Sequence, residues 1–243
     1  MSGHSRWSKI QHKKGKADKA RSGVFTKLLR GITVAAGEGG GDVEMNFSLR
    51  LAVEKAKAAN VPKDNIERAI KRGTGEDKEG AIFESGLYEG FGPGGIAVMV
   101  ETLTDNTNRT VSEVKHIFSK YGGSMGASGS VQWQFEHVGA VRIMAEELSK
   151  LDDKESFLLE LLDNGAEDVK DEEEGMEIIS SIENLKKVLD FLSAQELTPE
   201  ESGLEWMAKD TIELDAEKQA KLDKLIEMFD ECDDVKEVYT NAG

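Results

Sequence analysis

From Ser22 to Ala36, apolar Val24, Phe25, Leu28, Leu29, Ile32 and Ala36 recur at the spacing of one helix face. Ser22 is placed to cap this helix and the Gly37 to Gly41 cluster to stop it. Leu49, Ala52, Val53 and Ala56 form a second stripe. After Val61-Pro62 a short third helix turns Ile66, Ala69 and Ile70 inward and ends at Gly73. The first part of the chain therefore reads as all helical.

Beyond Thr74-Gly-Glu-Asp-Lys78 the period changes from helical spacing to alternation. Phe83 to Glu89 and Ile96 to Leu103 read as a hairpin joined by Gly90-Phe-Gly-Pro-Gly-Gly95. A helix follows from Asn108 to Tyr121 with Val111, Val114, Ile117 and Phe118 inward. Gly122-Gly123 ends it, and Ser130 to Phe135 alternates as a strand. From Val138 a fresh unit runs strand, helix (152 to 164), strand (167 to 170), strand (176 to 181), helix (183 to 194), strand (203 to 208), the β-α-β-β-α-β order of ferredoxin-like domains. A final helix (216 to 231) and strand (235 to 239) supply what the unfinished first sheet lacks.

The fold class is thus α+β, a helical N-terminal domain followed by two α/β domains, at least one ferredoxin-like. The expected boundaries are 1–78 for the helical domain, 79–137 with 210–243 for a discontinuous middle domain, and 138–209 for an inserted ferredoxin-like domain. Three domains in series is the competing topology.

Charge changes this picture most. The chain of 243 residues has a formal charge of −16, yet its first thirty residues carry nine Lys/Arg against one acid. Residues 1–80 hold 17 basic and 10 acidic side chains, and the remaining 163 residues hold 14 and 37. A chain divided in this way offers phosphate an attractive front and a repulsive rear, despite a sequence pI near 4.8. Arg6, Trp7, Lys9, His12, Lys13, Lys14, Lys16, Lys19 and Arg21 form an arm able to follow phosphates and offer an aromatic for stacking. Lys71 and Arg72, with Lys63 and Arg68, continue the positive charge along the third helix. A solvated helix face and a tail paired with the acidic domains are the competing explanations.

The remaining signals mostly exclude. One cysteine, Cys232, allows no intrachain disulfide or cysteine-based metal site, and fits a reducing compartment. Without an apolar run of membrane length or a secretory leader, a cytoplasmic protein with no membrane partner is expected. The basic N-terminus also suits an organelle transit peptide, but Trp7 and the dense Lys/His spacing fit a working segment better. Gly90 to Gly95 satisfies G-x-G-x-x-G, but a strand rather than a helix follows, so a hairpin tip is the better reading. Gly122-Gly-Ser-Met-Gly126 matches a nucleophile elbow in letters but joins helix to strand, the reverse of the required order. His4, His12, His116 and His137 lack metal-ligand spacing. Glu172-Glu-Glu174 could hold a hard cation but reads more simply as solvated surface. Trp133 and Phe135, on one face of the expected strand, could stack bases but fit core packing better. No catalytic residue, metal site, cofactor or small-molecule substrate is assigned.

Several segments resemble the YebC/PmpR family, whose bacterial members are known as probable transcriptional regulators and which includes a mitochondrial translational activator of cytochrome oxidase. They are Gly3-His-Ser-Arg-Trp7, Lys9-Ile-Gln-His-Lys-Lys14, Pro62 to Arg72, Tyr88-Glu-Gly-Phe-Gly-Pro-Gly-Gly95 and Thr104-Asp-Asn-Thr-Asn-Arg-Thr110. The similarity spans nearly the whole chain. It departs at Asn46-Phe47, where members often have Asn-Pro, which bears only on a local helix start. The resemblance implies a helical domain plus two α/β domains and a non-enzymatic role, with links both to promoter DNA and to translation on the ribosome. The nucleic-acid partner is then ribosomal RNA or tRNA, or DNA. Gly90, Phe91, Gly92, Pro93, Gly94 and Gly95 are expected to form a functional loop reaching a centre where bulky side chains would clash.

Overall fold

The computed structural model describes residues 20–77 and 83–243, with side chains from residue 23 onward. Three helices come first: α1 (Ala20–Gly39), α2 (Phe47–Ala58) and α3 (Lys63–Gly73). Their apolar stripes meet in a core of Ile32, Ala36, Leu49, Val53, Ala56, Val61, Ile66 and Ala69. Helix α1 already contains Ser22, so that residue is not its cap, and the helix ends where Gly40 takes a φ of 86°. Buried Asn46 joins α1 to α2. Its Nδ2 donates to the Ala35 and Gly40 carbonyls, and its Oδ1 accepts from the Leu49 amide as the N-cap of α2. That side-chain cap starts the helix without a proline at Phe47, which settles the departure noted above. Helices α1 and α3 cross closely at Gly73, where a Cβ would lie 2.2 Å from the Thr33 carbonyl oxygen.

Strands β1 (Glu84–Phe91) and β2 (Ala97–Thr104) form the antiparallel hairpin, followed by α4 (Thr107–Lys120) and a two-residue strand β3 (Ser124–Met125). The C-terminal helix α8 (Ala216–Asp230) leads into β8 (Val235–Thr240), which pairs with β2 and gives the sheet order β3-β1-β2-β8. Alternating Ile96, Val98 and Val100, with Val235 and Val238 across a register shift in β8, pack against Val114, Ile117 and Phe118 of α4 and Leu222, Leu225 and Phe229 of α8.

The expected strand from Ser130 to Phe135 is not formed. Gln132–Gln134 is a 3-10 turn, and β4 begins only at Phe135 and runs to Met144. The alternation of Val131, Trp133 and Phe135 imitates a strand, but the backbone around it is held by Glu89, as described below.

Residues Glu136–Met207 form a separate compact unit, and the chain before and after it forms the other. After β4 come α5 (Ala145–Leu148), α6 (Lys154–Asp163), β5 (Ala166–Glu172), β6 (Gly175–Ser180), α7 (Leu185–Ala194) and β7 (Glu201–Ala208). The sheet order β5-β6-β4-β7 is that of a ferredoxin-like domain. Paired Val141 and Ile178 lie on the face that Gly139 presents to Leu185 of α7. The opposite face carries buried Arg142, whose guanidinium donates to Glu177 (2.8 Å) and Glu205 (2.8 and 2.9 Å) and pairs with Glu201 at 3.3 Å. Three carboxylates thus share one buried cation, and Glu177 also lies 3.6 Å from Lys170.

Candidate nucleic-acid interface

Of the expected contact residues, Arg6, Trp7, Lys9, His12, Lys13, Lys14, Lys16 and Lys19 lie outside the described residues. Arg21 belongs to the first turn of α1, which places its backbone at the start of the helical core. Lys71 and Arg72 occupy the last turn of α3, exposed on the side away from Ile66 and Ala69. Cations there are favoured by the carbonyl end of the helix dipole, and three- and four-residue spacing puts both beside exposed Arg68. Arg68 donates to Asn65 Oδ1 at 2.9 Å, and Lys63 pairs loosely with Glu67 at 3.7 Å. Neither Lys71 nor Arg72 has an ion-pair partner among the described residues. The helix therefore presents a stripe of three cations.

The glycine-rich segment divides into two parts. Gly90 and Phe91 belong to β1, and a Cβ on Gly90 would lie 2.6 Å from the Ser124 carbonyl and 2.7 Å from the Phe118 ring, so its bareness lets β3 and α4 close on the strand. Gly92 and Pro93 are buried, whereas Gly94 and Gly95 are exposed at the tip with φ of 77° and 79°. A side chain is strained at either tip position.

Glu89, one residue earlier, lies in the segment that resembles the family, but nothing in its spacing points to a role. It is 3% exposed, and its carboxylate accepts from the amides of Gly129 (2.6 Å), Val131 (2.7 Å) and Gln132 (2.8 Å). Burial alone would raise its pKa, but the three amides outweigh it and hold the carboxyl below the usual range. This clamp forms the turn that leaves Trp133 68% exposed while Phe135, two residues on, is buried. The indole Nε1 donates to the Ser130 carbonyl, and Lys209 Nζ donates to the carbonyl of Trp133. An aromatic ring is thereby displayed to solvent, with Lys209 bonded to its backbone. Only its letter was visible in the sequence, since the alternation placed it beside Phe135.

In the segment from Thr104 to Thr110, Thr104, Arg109 and Thr110 bind Asp234, while residues 105–109 lie at the surface. Asn106 caps α4 by accepting from the Arg109 amide. Arg109 donates to Asp234 through Nε and Nη2, the shortest contact being 2.7 Å, and the hydroxyls of Thr110 and Thr104 add bonds of 2.8 and 3.2 Å. Arg30 of α1 completes the group at 2.9 Å and also donates to the Asp233 carbonyl. Desolvation pushes the Asp234 pKa up, but Arg109, Thr110 and Arg30 more than offset it and hold the carboxyl below its ordinary value. Asp234 therefore fixes helix α1, and with it the root of the basic arm, to the middle sheet.

Among the described residues no group of three or more His, Cys, Asp or Glu is arranged to hold a metal ion. No helix there is long and apolar enough to cross a membrane. Fold and surface define an α+β protein in which a helical domain with a cationic face precedes two α/β domains. Comparison with known sequences makes this particular: residues 5–76 match the TACO1/YebC protein N-terminal domain and residues 83–242 match the TACO1/YebC second and third domain, so the chain belongs to the TACO1/YebC family. A relative from Carboxydothermus hydrogenoformans is 46% identical over 241 residues, covering 99% of this chain and 98% of its own. One from Acidithiobacillus ferrooxidans is 49% identical, covering 99% and 94%. Both are described as probable transcriptional regulatory proteins. The crystal structure of a conserved hypothetical protein from Aquifex aeolicus superposes with a TM-score of 0.87 at 44% identity, covering 98% of this chain and 97% of that one.

Proposed function

We propose that this protein is a non-enzymatic, nucleic-acid-binding regulator of gene expression that acts on the ribosome, where its basic N-terminal arm meets ribosomal RNA or tRNA and assists translation. The observation that carries the reading is the charge division, 17 basic against 10 acidic residues in the first eighty and 14 against 37 in the rest. Such a molecule enters structured RNA with one end and is repelled from wrapping by the other. The exposed stripe of Arg68, Lys71 and Arg72 extends the attractive end onto a folded helix. The bare tip at Gly94 and Gly95 supports a loop that approaches backbone closely.

Promoter DNA is the second reading, favoured by the description its relatives carry as probable transcriptional regulatory proteins. Against it, the exposed side of α3 interleaves Asp64 and Glu67 with its cations, and its one amide residue, Asn65, is engaged by Arg68. A helix that reads bases needs several Arg, Asn or Gln aimed at base edges, and of these α3 leaves only Arg72 outside the Arg68–Asn65 pair. Replacing Lys9, Lys13, Lys14 and Lys16 by Glu should abolish binding to RNA and to DNA alike. With about six cations on phosphate, the wild-type slope of log K against log salt should be near −5 on a duplex and near −4 on a single strand. Binding that survives the replacement removes the arm from the account and leaves α3 and the loops.

A further inference from the structure

A groove of about 740 Å³ opens beside the glycine tip, lined by Pro93 and Gly94, by Lys120, Tyr121 and Gly122, and by one side of α8. Four of its side chains are lysines, Lys120, Lys218, Lys221 and Lys224; Glu217 is the lining carboxylate, and Asp215 and Glu227 pair with Lys218 and Lys224 from beyond the lining. They stand in the part of the chain that carries 37 acids to 14 bases, so a track of lysines along one groove runs against the local composition.

Two elements build the cluster. Along α8, Lys218, Lys221 and Lys224 follow one another at three-residue intervals, about 4.5 Å of rise each. From the end of α4, Lys120 sets its ammonium 5.4 Å from the centre of the Tyr121 ring. Tyr121 is half-buried against the core of the first sheet, which fixes the ring beside the lysines. Glycines keep the groove open. A Cβ on Gly94 would lie 2.7 Å from Leu214 and 3.0 Å from Lys218, and Gly122 turns with a φ of 82° beside Pro93. Local pairs hold the lysines in place, Lys218 with Asp215 at 2.6 Å, Lys221 with Glu217 at 2.7 Å and Lys224 with Glu227 at 2.7 Å. Such exposed pairs are each worth little and are readily exchanged for phosphate oxygens.

We propose that this groove is a second nucleic-acid contact, taking a single-stranded segment of RNA with successive phosphates on Lys218, Lys221 and Lys224 and a base or sugar against Tyr121. The lysines run about 9 Å along the helix instead of converging on one point, which suits a chain of phosphates better than a lone phosphate ion. An aromatic within a cationic track is how proteins hold single strands without reading their sequence. The volume fits one or two nucleotides and is too small for a duplex. The proposal rests on the reading of RNA as the partner and adds a site to it.

The test uses the full chain and a ten-nucleotide single-stranded RNA of mixed sequence. Removing three phosphate contacts by Lys218→Gln, Lys221→Gln and Lys224→Gln together should reduce the salt slope by about 2. Tyr121→Leu should weaken binding about tenfold and Tyr121→Phe should leave it unchanged. In wild type, ultraviolet cross-links should fall on Tyr121. An unchanged slope in the triple variant, or cross-links confined to the arm, overturns the proposal. Ribosome binding is scored separately: a reduced slope with no ribosome preference keeps the groove and sinks the ribosomal reading, while ribosome preference with an unchanged slope does the reverse.

Discussion

Asp234→Asn should uncouple the helical core from the middle sheet. The carboxylate is 3% exposed and accepts from Arg30, Arg109, Thr104 and Thr110. Asparagine keeps the shape, removes the charge and turns an NH2 toward donors. Breaking one side of a buried ion pair costs about 3–5 kcal/mol. Arg30 is 16% exposed, but Arg109 is 42% exposed and partly screened by water, which moves the expected cost to the lower end, about 3 kcal/mol. With a urea m-value of about 2 kcal/mol/M, the midpoint should fall by roughly 1.5 M. The effect should also depend on pH in a definite direction. Because the folded-state pKa of Asp234 is depressed, its contribution is fully present above its unfolded value, about 3.9, and is lost as pH falls through the lower folded value. Urea midpoints measured from pH 7 to pH 2.5 should therefore converge for wild type and variant at the acid end. A midpoint shift below about 0.3 M at pH 7, or curves that stay parallel down to pH 2.5, would refute the reasoning.

Three other changes follow from the same geometry. Glu89→Gln replaces an acceptor by a donor facing backbone amides, and should cost about 1–3 kcal/mol and alter the fluorescence of Trp133 as the 126–132 turn loosens. Gly73→Ala in an ordinary helix would stabilise by about 1 kcal/mol, but here the Cβ meets the Thr33 carbonyl, so thermal unfolding should show a loss of about 1–3 kcal/mol. Arg142→Met leaves Glu177, Glu201 and Glu205 without their shared cation, and should destabilise by about 3–5 kcal/mol at pH 7, which denaturant titration will show.

Much of this architecture was legible in the sequence because apolar spacing and core position coincide. Ile66 and Ala69, and Val114, Ile117 and Phe118, occupy the faces that periodicity assigns them, and the strand order of the ferredoxin-like unit follows from element order. Two failures share a physical cause, long-range contacts that override a local pattern. Val131, Trp133 and Phe135 alternate like a strand, but a carboxylate more than forty residues earlier bends them into a turn. Asp234 sits in an unremarkable Cys-Asp-Asp run, and its partners are 125 and 204 residues away. Strand β3, two residues long, carries too little pattern to be seen. The charge of the arm was plain from composition. The lysine groove was not, since Lys120 and the three lysines of α8 are far apart in sequence and meet only through the packing of α4 and α8 on one sheet.

The proposed contact is between the charged front of this chain and RNA on the ribosome. Its most direct test is a competition at physiological salt between intact ribosomes and an excess of promoter-length duplex DNA, followed by sedimentation. Cosedimentation with ribosomes, lost when Lys9, Lys13, Lys14 and Lys16 are replaced by Glu, is the predicted result. Retention on the duplex, above all retention that depends on its sequence, would contradict it and make the protein a reader of promoters.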